Sequence, residues 1–546
     1  MEQKNLFTAI ILSVLVFMVW NYFFMPAPPE LPPAEPQSQE EVITNPSDSI
    51  TRVDALRDIN TPAPDQNLKL TTIRTPLYTI VLSNRGAVVK QVKLKEYKQD
   101  NTPDSDLKYL IDPVLQSGNY GVSFKNGTLP GVDTALFSVS TDESDIDAGQ
   151  NPFSLIYTWA SGTGIVIEKA FHFKPDTYVI DCHITVKNAS SQNFGDDLMV
   201  HLANRIADKS AIAFEGPAFY LDNDLTEIKI KKIEDSGRFS GNVNWLAIED
   251  RYFMMGLLPE EQSGNEILLS HDETSDIVMA RLVKPTGVIA PGTQKQFRYT
   301  IYNGPKKLTI LKNVGSKLDK IVNFGLFDFI ARPCLTLMGY IYHHVVANYG
   351  IAIIMLTILF KIILWPLGSK SYKSMNDMKK LQPLVAEIRE KHKANKQKMN
   401  EEMMGLYKTY KVNPLSGCLP MVVQMPIFFA FYKMLYQSIE LRHAPFFAWI
   451  MDLSAPDRLF HFNVTIPFFE PPTGIPVLTL LMGASMVLQQ KMAPPAGDPA
   501  QAKMMMLMPV FMTFIFMNFS SGLVLYWLVN NIVSILQQYY IMKKNA

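Results

Sequence analysis

The stretch YGIAIIMLTILFKIILWPL, residues 349–367, holds a single lysine in an otherwise apolar run. As a helix the run is long enough to span a bilayer core. A lysine at that depth costs about 2.5–3.5 kcal/mol on insertion scales, and such residues usually face a bundle interior or a wet cavity. Thr357 stands one helical turn before Lys361, and Trp365 continues the line. Lys361 is therefore either a snorkelling residue, reaching for the headgroups, or one member of a shared polar surface.

Other apolar runs decide between these. They lie at about 417–436, 475–492, 504–519 and 523–541. The last carries Tyr526, Asn530, Ser534 and Gln537, a polar stripe at helical spacing. Gln424 lies in the second run, Ser485 and Gln489 share a face of the third, and Thr513 and Asn518 sit in the fourth. Polar residues that merely glue helices together contribute only about 0.6 kcal/mol each. Polar faces on several helices favour a cavity. The run 504–519 is 16 residues, about 24 Å of helix against a hydrocarbon core of about 30 Å; either the span is short and thins the bilayer locally, or Ala500–Lys503 extends the helix.

Charge placement sets the orientation. Residues 369–412 hold eleven Lys/Arg against five Asp/Glu, whereas 438–474 hold only Arg442 and Arg458. Lys491, Lys503, Lys543 and Lys544 fall on the same side as the basic segment. That side is cytoplasmic. Within 369–413, Met375, Met378, Leu381, Val385 and Ile388 recur at three- and four-residue intervals, as do Met399, Met403, Leu406 and Tyr410. The spacing predicts a helical hairpin broken at "HKAN", with a kink at Pro383. It reads equally as two helices packed on each other or as a docking arm.

Upstream the texture differs. Leu6–Phe24 forms a 19-residue apolar run that ends in Phe23, Phe24, Met25, Pro26 rather than in small residues, so residues 1–25 read as an uncleaved signal anchor. Residues 26–60 form a Pro-rich acidic linker. Residues 61–306 are β-rich: in TYVIDCHITVKN (177–188), Tyr178, Ile180, Cys182, Ile184 and Val186 alternate with polar neighbours, and 77–97 reads as two strands around Asn84-Arg85-Gly86. About 240 such residues suggest a large all-β sandwich. Residues 307–348, apolar but interrupted by Asp328, Arg332, Pro333, His343 and His344, read as an interfacial amphipathic region.

The sequence also narrows the chemistry. It has no Walker A loop, no GxGxxG at a strand–helix junction, no HExxH and no GxSxG. The formal net charge of the 546 residues is zero, so no nucleic-acid specificity is expected. Cys182, Cys334 and Cys418 are scattered, without metal or disulfide spacing. No catalytic residue, metal or cofactor is expected, and the chain does not read as an enzyme.

Two long motifs carry a resemblance. LYKTYKVNPLSGCLPMVVQMPIFFAFYKML (406–435) resembles the signature of the YidC-type membrane protein insertases, the YidC/Oxa/Alb family. KMMMLMPVFMTFIFMNFSSGLVLYWLVNNIVSILQQ (503–538) is similar to that family's last two spans. The resemblance implies a polytopic α-helical membrane protein of the Gram-negative branch. It has six spans, five of them (349–542) forming a core, and a large all-β periplasmic super-sandwich domain similar to sugar mutarotases. It places the chain in the bacterial inner membrane with both termini cytoplasmic. It also implies a hydrophilic groove, open to cytoplasm and lipid, in which Lys361, Thr357, Gln424, Tyr526, Trp527 and Asn530 receive the polar part of a substrate. The substrate's apolar part slides out past the first and last core spans. The hairpin, through Met375, Met378, Leu381, Val385 and Ile388, then helps to capture it. The implied partners are nascent membrane proteins, the Sec translocon, the ribosome or signal recognition particle pathway, and membrane lipids.

Two positions depart from the family pattern. Lys361 stands where arginine is common, which keeps the charge but loses the planar fork. Trp527 stands where tyrosine is frequent. Two rivals remain on the residues alone. A solute transporter would need inverted repeats, and a tethered sugar enzyme would need catalytic partners in the β domain; neither is visible.

Overall fold

The computed structural model describes residues 68–544 apart from short segments, the longest being 207–212, 413–418 and 493–498. The expected signal anchor and linker lie outside the described residues, as does Cys418.

Alternation builds the β domain. Tyr178, Ile180, Cys182, Ile184 and Val186 are all buried on one face of the strand Val179–Asn188 or at its edge. That strand pairs antiparallel with both Ile165–Phe173 and Gln294–Pro305, near the centre of a nine-stranded sheet. The hairpin expected at 77–97 forms as Tyr78–Ser83 and Val88–Lys98, with Gly86 at φ 70°, left-handed space that suits glycine. It belongs to one of two five-stranded sheets. Both pack on the nine-stranded sheet, one of them through the stacked rings of Tyr78 and Tyr178. The result is a layered β sandwich with a continuous apolar core.

Helices follow: α1 (Leu308–Val314), α2 (Asp328–His344), α3 (Tyr349–Ile363), α4 (Trp365–Lys380), α5 (Gln382–Lys391), α6 (Lys396–Thr409), α7 (Leu419–Gln437), α8 (Val477–Met492), α9 (Pro499–Phe516) and α10 (Ser521–Lys544). On α2, Arg332 pairs with Asp328 at 2.6 Å and Asp319 at 3.4 Å. Phe329 and Tyr340 on the same helix are exposed.

Two expectations are corrected in detail, and one alternative is decided. The run 349–367 is not one helix: α3 ends at Ile363 with Leu364 as its cap, and α4 leaves at 65°. Pro366 sits in the first turn of α4, where a missing N–H does no harm, so Trp365 starts a new helix instead of extending the Thr357–Lys361 line. Pro383 likewise sits in the first turn of α5, after a break at Leu381, rather than kinking a continuous helix. The short run 504–519 gains a turn at its start, because α9 begins at Pro499 and has 18 residues. The shorter rods are α3, 15 residues, and α8, 16 residues, about 22 and 24 Å.

Among the described residues no single helix is long and apolar enough to cross a membrane, while the bent pair α3–α4 meets both conditions together. The outer surface of the bundle is nevertheless apolar. Ile362 and Ile363 are each 62% exposed, Met506 67% and Phe511 59%, with Val422, Leu481 and Leu536 on neighbouring helices. A soluble monomer rarely leaves so much contiguous apolar surface uncovered.

Candidate functional site: a polar cluster between helices

The polarity lies inside the bundle. Lys361, in the last turn of α3, donates from Nζ to Ser534 Oγ of α10 at 2.7 Å. Ser534 Oγ in turn donates to the Asn530 carbonyl at 2.7 Å. One turn towards the start of α10, the Asn530 side chain accepts from Gln424 Nε2 of α7 at 2.5 Å. The Gln424 amide also meets the Tyr526 hydroxyl. Lys361, Gln424, Asn530 and Tyr526 thus form one connected cluster across three helices. Among the described residues no carboxylate lies within salt-bridge distance of Lys361.

Two expected members lie deeper than a substrate-lining role needs. Thr357 is 1% exposed, and its hydroxyl donates back to the Ile353 carbonyl at 2.7 Å, as hydroxyls inside helices commonly do. Tyr526 is buried, stacked on Phe431 with ring centroids 4.7 Å apart. Trp527 is not in the polar cluster. Its ring packs edge-on against Phe428 at 4.7 Å and against Phe516 at 4.9 Å. These rings form an aromatic layer beyond the polar cluster.

That end of the bundle is packed shut. Asp457 caps α8, accepting from the backbone N–H of Leu478 and Thr479 and from Trp449 Nε1 at 2.6 Å, a favourable site for an anion. Arg458 is buried and donates to the Met517 carbonyl at 2.7 Å and to Asn518 Oδ1 at 3.2 Å. The β domain docks at the same end. Arg251 lies 3.5 Å over the Tyr436 ring and donates to the Tyr436 carbonyl at 2.7 Å; Arg442 donates to the carbonyls of Lys98 and Gln99. In the sequence Arg442 and Arg458 stand out only as loop charges. Nothing in their spacing marks a cap or a clamp.

At the opposite end the arm α4–α6 begins. Gln537 of α10 donates to the Trp365 carbonyl at 3.1 Å, just past the bend. Gly368 permits this approach, since a β-carbon there would lie 2.8 Å from Gln537 Nε2. The Tyr372 hydroxyl faces Ser534 and Gln489, a proximity that the apolar seam of the hairpin does not signal. Of the expected capture residues, Leu381 and Val385 are buried within the arm, whereas Met375, Met378 and Ile388 are partly exposed.

A helical bundle that is apolar outside and polar inside, with an uncompensated cation in the polar part, defines a membrane-embedded protein. Comparison with known proteins makes this specific. The model of the 60Kd inner membrane protein family matches residues 340–546, and that of the YidC periplasmic domain matches residues 70–337. A membrane protein insertase YidC from Syntrophus aciditrophicus is 38% identical over 564 residues, covering 100% of both chains. One from Geobacter sulfurreducens is 35% identical, covering 99% of this chain and 98% of its own. Among solved structures, an active YidC insertase aligns over 87% of this chain and 95% of its own at 19% identity, with a TM-score of 0.39. A galactose mutarotase related enzyme from Lactobacillus acidophilus aligns over 43% of this chain and 97% of its own at 13% identity, with a TM-score of 0.33. The chain belongs to the YidC family of membrane protein insertases, with a β periplasmic domain and a helical core.

Proposed function

We propose that this insertase moves short polar segments of nascent membrane proteins across the inner membrane through the cleft around Lys361, with no covalent step. The observation that carries the reading is the Lys361 ammonium, held in a polar cluster of three helices with no carboxylate partner among the described residues. A lone carboxylate at mid-membrane costs about 2.5–3.5 kcal/mol. One unit charge at 4 Å returns about 4 kcal/mol at an effective dielectric of 20. A single cation therefore offsets about one substrate carboxylate, which suits short acidic tails.

Six spans would serve this: the N-terminal anchor, α3 with the first residues of α4 (349–368), α7, α8, α9 and α10, with the rest of the arm (369–413) and both termini cytoplasmic. The sealed end sits beside the periplasmic domain, which supports a groove open on the cytoplasmic side. The short rods α3 and α8 would thin the membrane where the substrate crosses. Gln424 and Asn530 line the groove with Lys361; Thr357, Tyr526 and Trp527 support it from behind. The apolar part of the substrate leaves past the exposed residues of α3 and α10. Met375, Met378 and Ile388 of the arm receive chains delivered by the ribosome or the Sec translocon.

The test is Lys361→Ala, Lys361→Glu and Lys361→Arg in the full chain, scored by insertion of a small acidic-tailed substrate. Arg should retain most activity, Ala should lose much of it and Glu most of all. Wild-type insertion by all three would refute the charge mechanism.

A further inference from the structure

Snorkelling is easy for Lys361 on geometry alone. The bend at Leu364 ends α3 three residues after it, about 4.5 Å along the axis. Some feature must hold the ammonium in the cleft. We propose that Ser534 is that positioning residue, and that Tyr372 completes its hydrogen bonding from the arm. A serine hydroxyl has one donor and two acceptor positions. In Ser534 the donor goes to the Asn530 carbonyl, one acceptor takes Lys361, and the other lies open to Tyr372. Ser534 is 2% exposed, so water does not compete for these positions. Asn530, through Gln424, ties the same turn of α10 to α7. The ammonium is thereby fixed relative to three helices, facing the groove and not the headgroups. Tyr372 beside that hydroxyl, and Gln537 on the Trp365 carbonyl about one turn further on, seat the root of the arm beside it.

This inference rests on the groove reading of Lys361, and the experiment separates the two. Full-length protein in proteoliposomes inserts two single-span substrates that differ only in the tail, one acidic and one with Asn and Gln in place of Asp and Glu. Ser534→Ala slows the acidic substrate about tenfold, the size of one charge-assisted hydrogen bond, and leaves the neutral one within about twofold. Ser534→Thr, which keeps the hydroxyl, restores the acidic substrate. In a Lys361→Ala background, Ser534→Ala adds no further loss, because the serine acts through the lysine. Equal losses for both tails, or an additive loss on Lys361→Ala, would overturn the inference. If Lys361→Ala lowers acidic-tail insertion and Ser534→Ala does not, Ser534 has no positioning role while the groove stands. If Lys361→Ala changes nothing, both fall.

Discussion

Lys169 of the β domain and Lys361 of the helical bundle are handled in opposite ways. Lys169, in the β domain, is fully buried. Its ammonium donates to the backbone carbonyls of Ala87, at 2.8 Å, and Tyr120, and lies 4.9 Å over the Phe171 ring. All of its bonding capacity is directed at fixed protein groups. Lys361 has a single hydrogen-bond partner among the described residues, Ser534. Burial of a cation therefore does not mark a functional site by itself. The distinction is whether its donors are already satisfied. Lys169 ties sheets together, and for Lys361 we propose a role towards substrate.

Exchanging the two roles tests this contrast, beginning with the largest effect. Lys169→Ala leaves a cavity and two unmet carbonyls, costing about 3–5 kcal/mol of β-domain stability. Calorimetry should show its transition roughly 10 °C lower, with insertion at permissive temperature unchanged. An unchanged transition would remove the structural role of Lys169.

Acidity should sharpen the same contrast. His201 sits near Lys169, and its pKa is pushed down to about 4, first by burial and then by the charges of Arg281 and Lys169. Between pH 4 and the unfolded value of 6.5, the folded domain binds fewer protons than the unfolded chain. Stability from this group is thus complete above pH 6.5 and is lost as pH falls towards 4, about 3 kcal/mol in all. Burial likewise lowers Lys169 to about 8, so its contribution rises as pH climbs from 8 towards 10.5. Denaturant titrations between pH 4 and 7 should show the acid slope, and His201→Gln should flatten it.

Lys361→Ala should do the reverse of Lys169→Ala. The melting transition stays in place while acidic-tail insertion falls by about 2 kcal/mol of barrier, roughly thirtyfold. A parallel loss of stability would make Lys361 a structural lysine too. The smallest effect is expected at the clamp between the two regions. Arg251→Ala removes a cation–π contact and a hydrogen bond, about 1–2 kcal/mol. Hydrogen exchange around 436–442 should quicken, with insertion nearly unchanged.

Much of this was legible in sequence, for physical reasons that differ by region. Period-two alternation at 178–186 marks a buried strand face directly, because a strand puts every second side chain on one side. The stripe Tyr526, Asn530, Ser534 was legible as polarity at helical spacing, and Gln424 as a polar residue in an apolar run. Depth was not legible. Thr357 shares the Lys361 face but turns its hydroxyl onto its own helix, and Trp527 joins an aromatic layer that its neighbour Tyr526 only half predicts. The bend at Leu364 had a signal in Pro366, a residue at home in a first turn. Contacts across long separations, such as Tyr372 with Ser534 or Asp457 with the start of α8, depend on how helices are placed, and spacing carries no trace of them.

The central claim is that substrate occupies the cleft beside Lys361. A photo-crosslinking residue placed singly at Gln424, Asn530, Thr357 and Phe511, with a stalled acidic-tailed nascent chain, tests it most directly. Adducts should form at 424 and 530, and 357, sealed within the bundle, should give none. Position 511, on the outer face of α9, should give none either. Adducts at 511 with nothing at 424 and 530 would place the substrate outside the cleft and contradict the account.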